Sequence, residues 1–210
     1  MKNPWLAIPV DEYVGHMRSP EVGQYEILNQ LMRDTLQASR PGSMVVLGCS
    51  NGNGFEHIDS AVTTRVVGVD VNPRYLQELA RRFPHPPFVL DLLCTDLETS
   101  RFGAQAFDLV HAALVFEYVD WLALLPRVAE ALRPQGVLSI VLQLPSRVIP
   151  AVTPTSFASL GLLESVFHYV DPNLLVARAA QLALQLASRR TEPLRSGKAF
   201  EILQFRKSAV

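Results

Sequence analysis

Between Ser43 and Pro145 the chain alternates short, nearly continuous apolar runs with longer segments whose apolar residues recur at helical spacing. The apolar runs are MVVLG from Met44, RVVGVD from Arg65, LDLLCTDLE from Leu90, FDLVHAALV from Phe107 and VLSIVLQL from Val137. Runs of this kind are buried on both faces, as strands of a parallel sheet are. The intervening segments carry helix punctuation. Ser19-Pro20 reads as a hydroxyl N-cap with proline at the first helical position, opening a helix through Val22, Ile27, Leu28, Leu31 and Leu36 that Pro41-Gly42 ends. Asn72-Pro73 opens another, which must stop at Phe83 because Pro84, Pro86 and Pro87 cannot continue it. A short helix is expected near Phe55 to Ser60 and a longer one near Tyr118 to Leu132. Beyond Pro150 the pattern loosens into an irregular, partly helical insert, then a helix capped at Asp171-Pro172 and running to about Leu184. RSGKAFEILQFRK closes the chain as a turn and an alternating strand that buries Phe200, Ile202, Leu203 and Phe205.

Strands alternating with helices predict an α/β, doubly wound sheet with right-handed crossovers and helices on both faces. No repeat or long linker divides the chain, so residues 1–210 read as one domain. Its parts are a helical cap or lid over 1–42, a core over 43–145, and an insert with the C-terminal strands over 146–210. The 19 basic and 20 acidic residues nearly cancel and form no basic run, which argues against nucleic acid or an anionic membrane surface as partner. No stretch approaches the ~20 apolar residues of a membrane span. MKNPWLAIPVDEY has no apolar run of signal-peptide length, so a cytoplasmic protein is expected. Cys49 and Cys94 lack metal or redox spacing and read as reduced, buried thiols. The five histidines are scattered, and no metal site is expected.

In an open parallel sheet ligands bind at the carboxyl ends of the strands. Gly48, Gly52 and Gly54 follow the first strand there, Asp70 ends the second, Asp96 the third, and the stretch from Ala112 to Tyr118 follows the fourth. Asp70 suits the two hydroxyls of a ribose, since an ionised carboxylate only accepts. Asp96 suits an exocyclic adenine amine, with Leu97 offering apolar surface; its rival Asp91 points sideways into the sheet or out at its edge. The glycine spacing GxxxGxG departs from the GxGxxG of a nicotinamide-type turn.

VVLGCSNG, VVGVDVNPRYL, LLCTDLE, FDLVHAALVFEYVD and ALRPQGVLSIV together resemble class I S-adenosylmethionine-dependent methyltransferases over roughly Ser43 to Leu144. The resemblance implies a seven-stranded, mostly parallel Rossmann-like sheet whose last strand, the terminal FEILQF, is antiparallel. It implies S-adenosyl-L-methionine as cofactor, held by Gly48, Cys49, Ser50, Gly52, Gly54, Asp70, Val71, Asp96, Leu97 and Ala113. Acceptors in this family lie after the fourth strand, which makes Glu117 and Tyr118 catalytic candidates, with His16 as an alternative base. Tyr13, His16 and Met17 occupy a segment that covers the cofactor in such proteins. Two departures stand out: the family's motif acid is Val46 here and its second glycine is Ser50. Asn51, Glu56, Asp11 and Glu12 are the candidate substitutes for that acid. Phe116, Tyr118, Leu144, Phe157 and Leu160 make an apolar acceptor pocket, so a small-molecule acceptor is expected. The protein would act as a monomer or homodimer. His111 reads as a core histidine and Lys198 as a strand-flanking charge. A cofactor-binding protein without turnover and a nicotinamide-dependent enzyme are the alternatives.

Overall fold

The computed structural model describes residues 3–209; Met1, Lys2 and Val210, at the ends of the expected domain, lie outside the described residues. The apolar runs become strands β1 (Ser43–Leu47), β2 (Arg65–Asp70), β3 (Val89–Cys94), β4 (Phe107–Ala113) and β5 (Leu132–Gln143). Two more, β6 (Leu184–Pro193) and β7 (Ala199–Lys207), complete one sheet in the order β3-β2-β1-β4-β5-β7-β6. Neighbours from β3 to β5 pair in parallel, while β7 runs antiparallel to both β5 and β6. The expected seven-stranded, mostly parallel sheet with an antiparallel last strand is therefore what the chain forms.

Strand alternation decides which helices cover which face. On β1, Val45 and Leu47 join Leu124, Leu125 and Val128 of α4 (Trp121–Ala131) and Leu175 and Ala179 of α5 (Pro172–Ala180). Met44 and Val46 point the other way, into Met32 and Leu36 of α2 (Tyr25–Ser39) and Leu76 and Leu79 of α3 (Pro73–Arg82). Both caps of the helices over β2 and β6 were legible: Asn72 and Asp171 each accept an N–H from the first turn of their helix.

Several boundaries differ from expectation, each for a local reason. Ser19-Pro20 does not open a helix. The Ser19 hydroxyl donates to the His16 carbonyl at 2.9 Å, closing α1 (Val10–Arg18), and Gly23 turns the chain at φ +60° before α2 starts at Tyr25. The helix after Asp171 stops at Ala180, and Ala183 at φ +59° turns into β6. That strand was not foreseen, because of its ten residues only Leu184 is buried and no alternation survives at this edge. β3 ends at Cys94, so Asp96 lies in the turn beyond it, and β4 ends at Ala113 because Leu114 leaves the sheet at φ +54°. Cys94 is exposed on the edge strand rather than buried; Cys49 is buried as expected. Among the described residues no helix is long and apolar enough to cross a membrane.

Val46, in the place of the family's motif acid, is 7% exposed and sits in the apolar cluster between β1, α2 and α3. A carboxylate there has no partner. Val46→Asp is expected to lower unfolding stability by about 3 kcal/mol or more in denaturant titration. An unchanged midpoint would contradict this packing.

Candidate active site

The strand order reverses between β1 and β4, and at the carboxyl ends of these strands the chain encloses a cavity of about 1060 Å³, its open mouth included. Gly48 floors it. Its φ is +63°, and a Cβ there would fall 2.7 Å from Val115 Cγ2, so only glycine lets the turn lie this close to the segment that follows β4. Ser50 holds φ +46° at the position where the resembling family has its second glycine. The Ser50 N–H donates to Asp70 Oδ2 at 2.9 Å, and the Asn72 N–H donates to Asp70 Oδ1 at 2.8 Å. The carboxyl plane is thereby fixed at the end of β2. Burial pushes the Asp70 pKa up to about 6, against the pull of these N–H donors.

Asn72 ties this turn to the N-terminal segment. While its Oδ1 caps α3 at the Arg74 N–H, its Nδ2 donates to the carbonyls of Trp5 at 2.9 Å and Ile8 at 3.2 Å. The strapped segment brings Trp5 edge-on to Tyr13 and to Tyr118, with ring centroids 6.0 and 5.0 Å apart. Tyr75 of α3 and Phe167 of the insert extend this aromatic wall.

Another part of the lining is polar. Glu117 is 0% exposed; its Oε1 accepts the Gln143 N–H at 2.7 Å, while its Oε2 has no hydrogen-bond partner. Burial raises its pKa to about 7. The Gln143 side-chain oxygen accepts from Gln24 Nε2 at 3.1 Å and Lys198 Nζ at 3.3 Å. Lys198 Nζ also donates to the Ala151 carbonyl at 2.7 Å, and burial lowers its pKa to about 8. His16 lies 3.0 Å from Thr155 Oγ1; burial first and the Lys198 charge second lower its pKa to about 4.

Gly48, Ser50, Asp70, Val71, Asp96 and Leu97 all line this one cavity, as do Ala113, His16, Glu117 and Tyr118. Cys49, Gly52 and Gly54 do not. Cys49 packs in the cluster with Val46, Gly52 faces Leu79 and Phe83, and Gly54 faces Met32. Those two glycines let α2 and α3 close on the turn rather than a ligand approach it. Of the substitutes for the motif acid, Glu12 accepts the Ser159 N–H, Glu56 bonds Asn29, and neither they nor Asp11 and Asn51 reach the cavity. Among the expected apolar linings Tyr118 and Leu160 are present, whereas Phe116 is inside the core, Phe157 packs beside Ile8, and Leu144 is outside the lining. Asp91 pairs with Arg65 at the sheet edge, and His111 bonds Ser139 within the core. Lys198 corrects the sequence reading most: it is 4% exposed and part of the wall. Trp5, Gln24 and Tyr75 were also missed. No periodic pattern marks them, since each reaches the cavity only through the fold.

Residues 45–140 match the family model described as a methyltransferase domain. In fold the chain is similar to class I methyltransferases. Among solved structures, the N-methyltransferase NodS from Bradyrhizobium japonicum, in complex with S-adenosyl-L-homocysteine, is 19% identical at a TM-score of 0.67, covering 89% of this chain and 88% of its own. An S-adenosylmethionine-dependent methyltransferase from Mesorhizobium loti is 18% identical at 0.64, covering 82% and 96%. The cyclase SpnF is 11% identical at 0.68, covering 88% and 81%. At these identities the likeness is one of fold. No curated protein matches the chain.

Glu117 has a consequence for stability. Its folded pKa is raised, so its contribution to stability is fully present below the unfolded value of 4.5 and is lost as pH rises through about 7. Glu117→Gln keeps an oxygen for the Gln143 N–H and removes the titration. The variant should be more stable than wild type at pH 8, by up to about 3 kcal/mol, and show no such gain near pH 4. Chemical unfolding at both pH values checks the sign.

Proposed function

We propose that the protein is an S-adenosylmethionine-dependent methyltransferase acting on a small organic acceptor, with residues 1–210 working as one domain. The observation that carries this reading is the fixed Asp70 carboxylate, hydrogen-bonded by the Ser50 and Asn72 N–H groups at the mouth of the glycine turn. Each Asp70 oxygen keeps a lone pair for a ribose hydroxyl. The cofactor's fit is tested by the buried polar atoms left without partners: Ser50 Oγ, Tyr75 OH and Glu117 Oε2. All three residues line the cavity, and a polar ligand would satisfy them.

When bound, the cofactor supplies an electrophilic methyl group on a sulfonium; the chain's residues bind, orient and exclude water. Asp96 and Leu97 would take the adenine amine and ring, and Val71 the edge of the ribose. Gly48 offers backbone to the methionyl end, and Ala113 borders the path to the acceptor. The aromatic wall of Trp5, Tyr13 and Tyr118 sheds water from the reacting centre. In this reading Glu117, whose Oε2 has no hydrogen-bond partner, would accept a proton from the acceptor as its nucleophile attacks. His16, already engaged with Thr155, supports the wall. A cytoplasmic setting belongs to the same reading, which the unpaired Cys49 and Cys94 support. So does a monomer or homodimer. The fold likeness to a cyclase makes turnover the essential test.

Calorimetry with S-adenosylhomocysteine should detect binding, and nicotinamide dinucleotides should bind far more weakly. Asp70→Ala should weaken the affinity at least about tenfold, since charge-assisted bonds are worth ~1.5–3 kcal/mol each. Unchanged affinity in a folded variant would show that the ribose is held elsewhere. Methyl transfer from labelled cofactor into a metabolite pool then separates turnover from binding alone.

A further inference from the structure

The polar part of the lining holds a cation that no carboxylate among the described residues neutralises. The Lys198 ammonium has two neutral acceptors, Gln143 Oε1 and the Ala151 carbonyl, and its third N–H has no partner among the described residues. Among the described residues no carboxylate forms an ion pair with it. A buried charge left unpaired is costly, and such charges are retained where a ligand completes them. The surrounding amides are already committed: Gln24 Nε2 and Lys198 Nζ converge on one Gln143 oxygen, while Gln143 Nε2 is taken by Ala151. This arrangement locks the ammonium in place. On the main chain of the same Gln143 hangs Glu117, a residue of the cavity lining whose second oxygen is buried and has no hydrogen-bond partner among the described residues.

We infer that Lys198 is the anion-binding end of the acceptor site, and that the acceptor is a small carboxylic acid with an apolar or aromatic body. This rests on the methyltransferase reading above. The carboxylate meets Lys198 and the protonated nucleophile meets Glu117, one on each side of Gln143. Trp5, Tyr118, Leu160 and Phe167 provide the apolar surface for the body between them. The cofactor's own carboxylate is the other source of such an anion, and position argues against it. The ammonium reaches back to Gln143 at the end of β5, two strand positions from Gly48 in the sheet order, or roughly 10 Å at ~4.8 Å per strand. The methionyl end belongs at Gly48.

The test uses the full chain saturated with S-adenosylhomocysteine and titrates benzoate against benzamide, isosteres that differ in charge. Wild type is expected to prefer benzoate by about tenfold or more. Lys198→Met should abolish that preference and leave S-adenosylhomocysteine affinity within about twofold. Lys198→Gln, which keeps a donor for Ala151, gives the same readout should the methionine variant fail to fold. Absence of a benzoate preference in wild type, or its survival in both variants, overturns the inference. So does a loss of S-adenosylhomocysteine affinity in the variants with 5′-methylthioadenosine binding unchanged, because Lys198 would then hold the cofactor's tail. Failure of wild type to bind S-adenosylhomocysteine at all would instead remove the cofactor reading. The preference for benzoate over benzamide in the unliganded protein would still decide the subsite.

Discussion

The Asp70 carboxylate is the point on which the site depends. Its two oxygens take the N–H of Ser50, in the turn after β1, and the N–H of Asn72, at the start of α3. Asn72 in turn caps α3 and holds the carbonyls of Trp5 and Ile8. One acid thus joins the glycine turn, the end of β2, a helix start and the N-terminal segment. Removing an N–H acceptor at such a place leaves buried donors unsatisfied, which is why the geometry is defined without any ligand. The strained backbone of Ser50 fits the same account: a non-glycine residue stays at φ +46° because the bond to Asp70 holds it there.

Across the cavity, burial moves the ionisable groups of the polar wall away from charge. Glu117 is pushed up, Lys198 and His16 down, and desolvation is the largest cause in each. Gln143 is the neutral hub that keeps Glu117 and Lys198 apart while orienting both. The wall is therefore held in a state that a ligand can complete: an unsatisfied carboxyl oxygen and an ammonium with no counter-ion among the described residues.

The part of the cavity lining at the strand ends was legible because it follows from where the strands stop. Asp70, Val71, Asp96 and Leu97 follow apolar runs whose length and register reveal where each strand stops, and parallel order then brings the ends together. Gly52 and Gly54 were legible as turn residues and misread as ligand contacts. Spacing shows that a backbone bends, but whether a helix or a ligand comes close is settled by α2 and α3. Ser19 was ambiguous in the same way, since a hydroxyl next to proline can open one helix or close the one before.

By itself the sequence determined strands β1 to β5 and β7 and the acids at the carboxyl edge, because periodicity, caps and apolar runs are local consequences of side-chain chemistry. It also carried the Val46 departure, though only packing between α2 and α3 reveals that this position is dry core. Tertiary structure alone decided β6, an exposed edge strand with no alternation to read, and the polar wall. Lys198, Gln24, Gln143 and Glu117 come from four distant parts of the chain and share no spacing. Their roles arise from burial and from one another's hydrogen bonds, and both exist only once the chain has closed around the cavity.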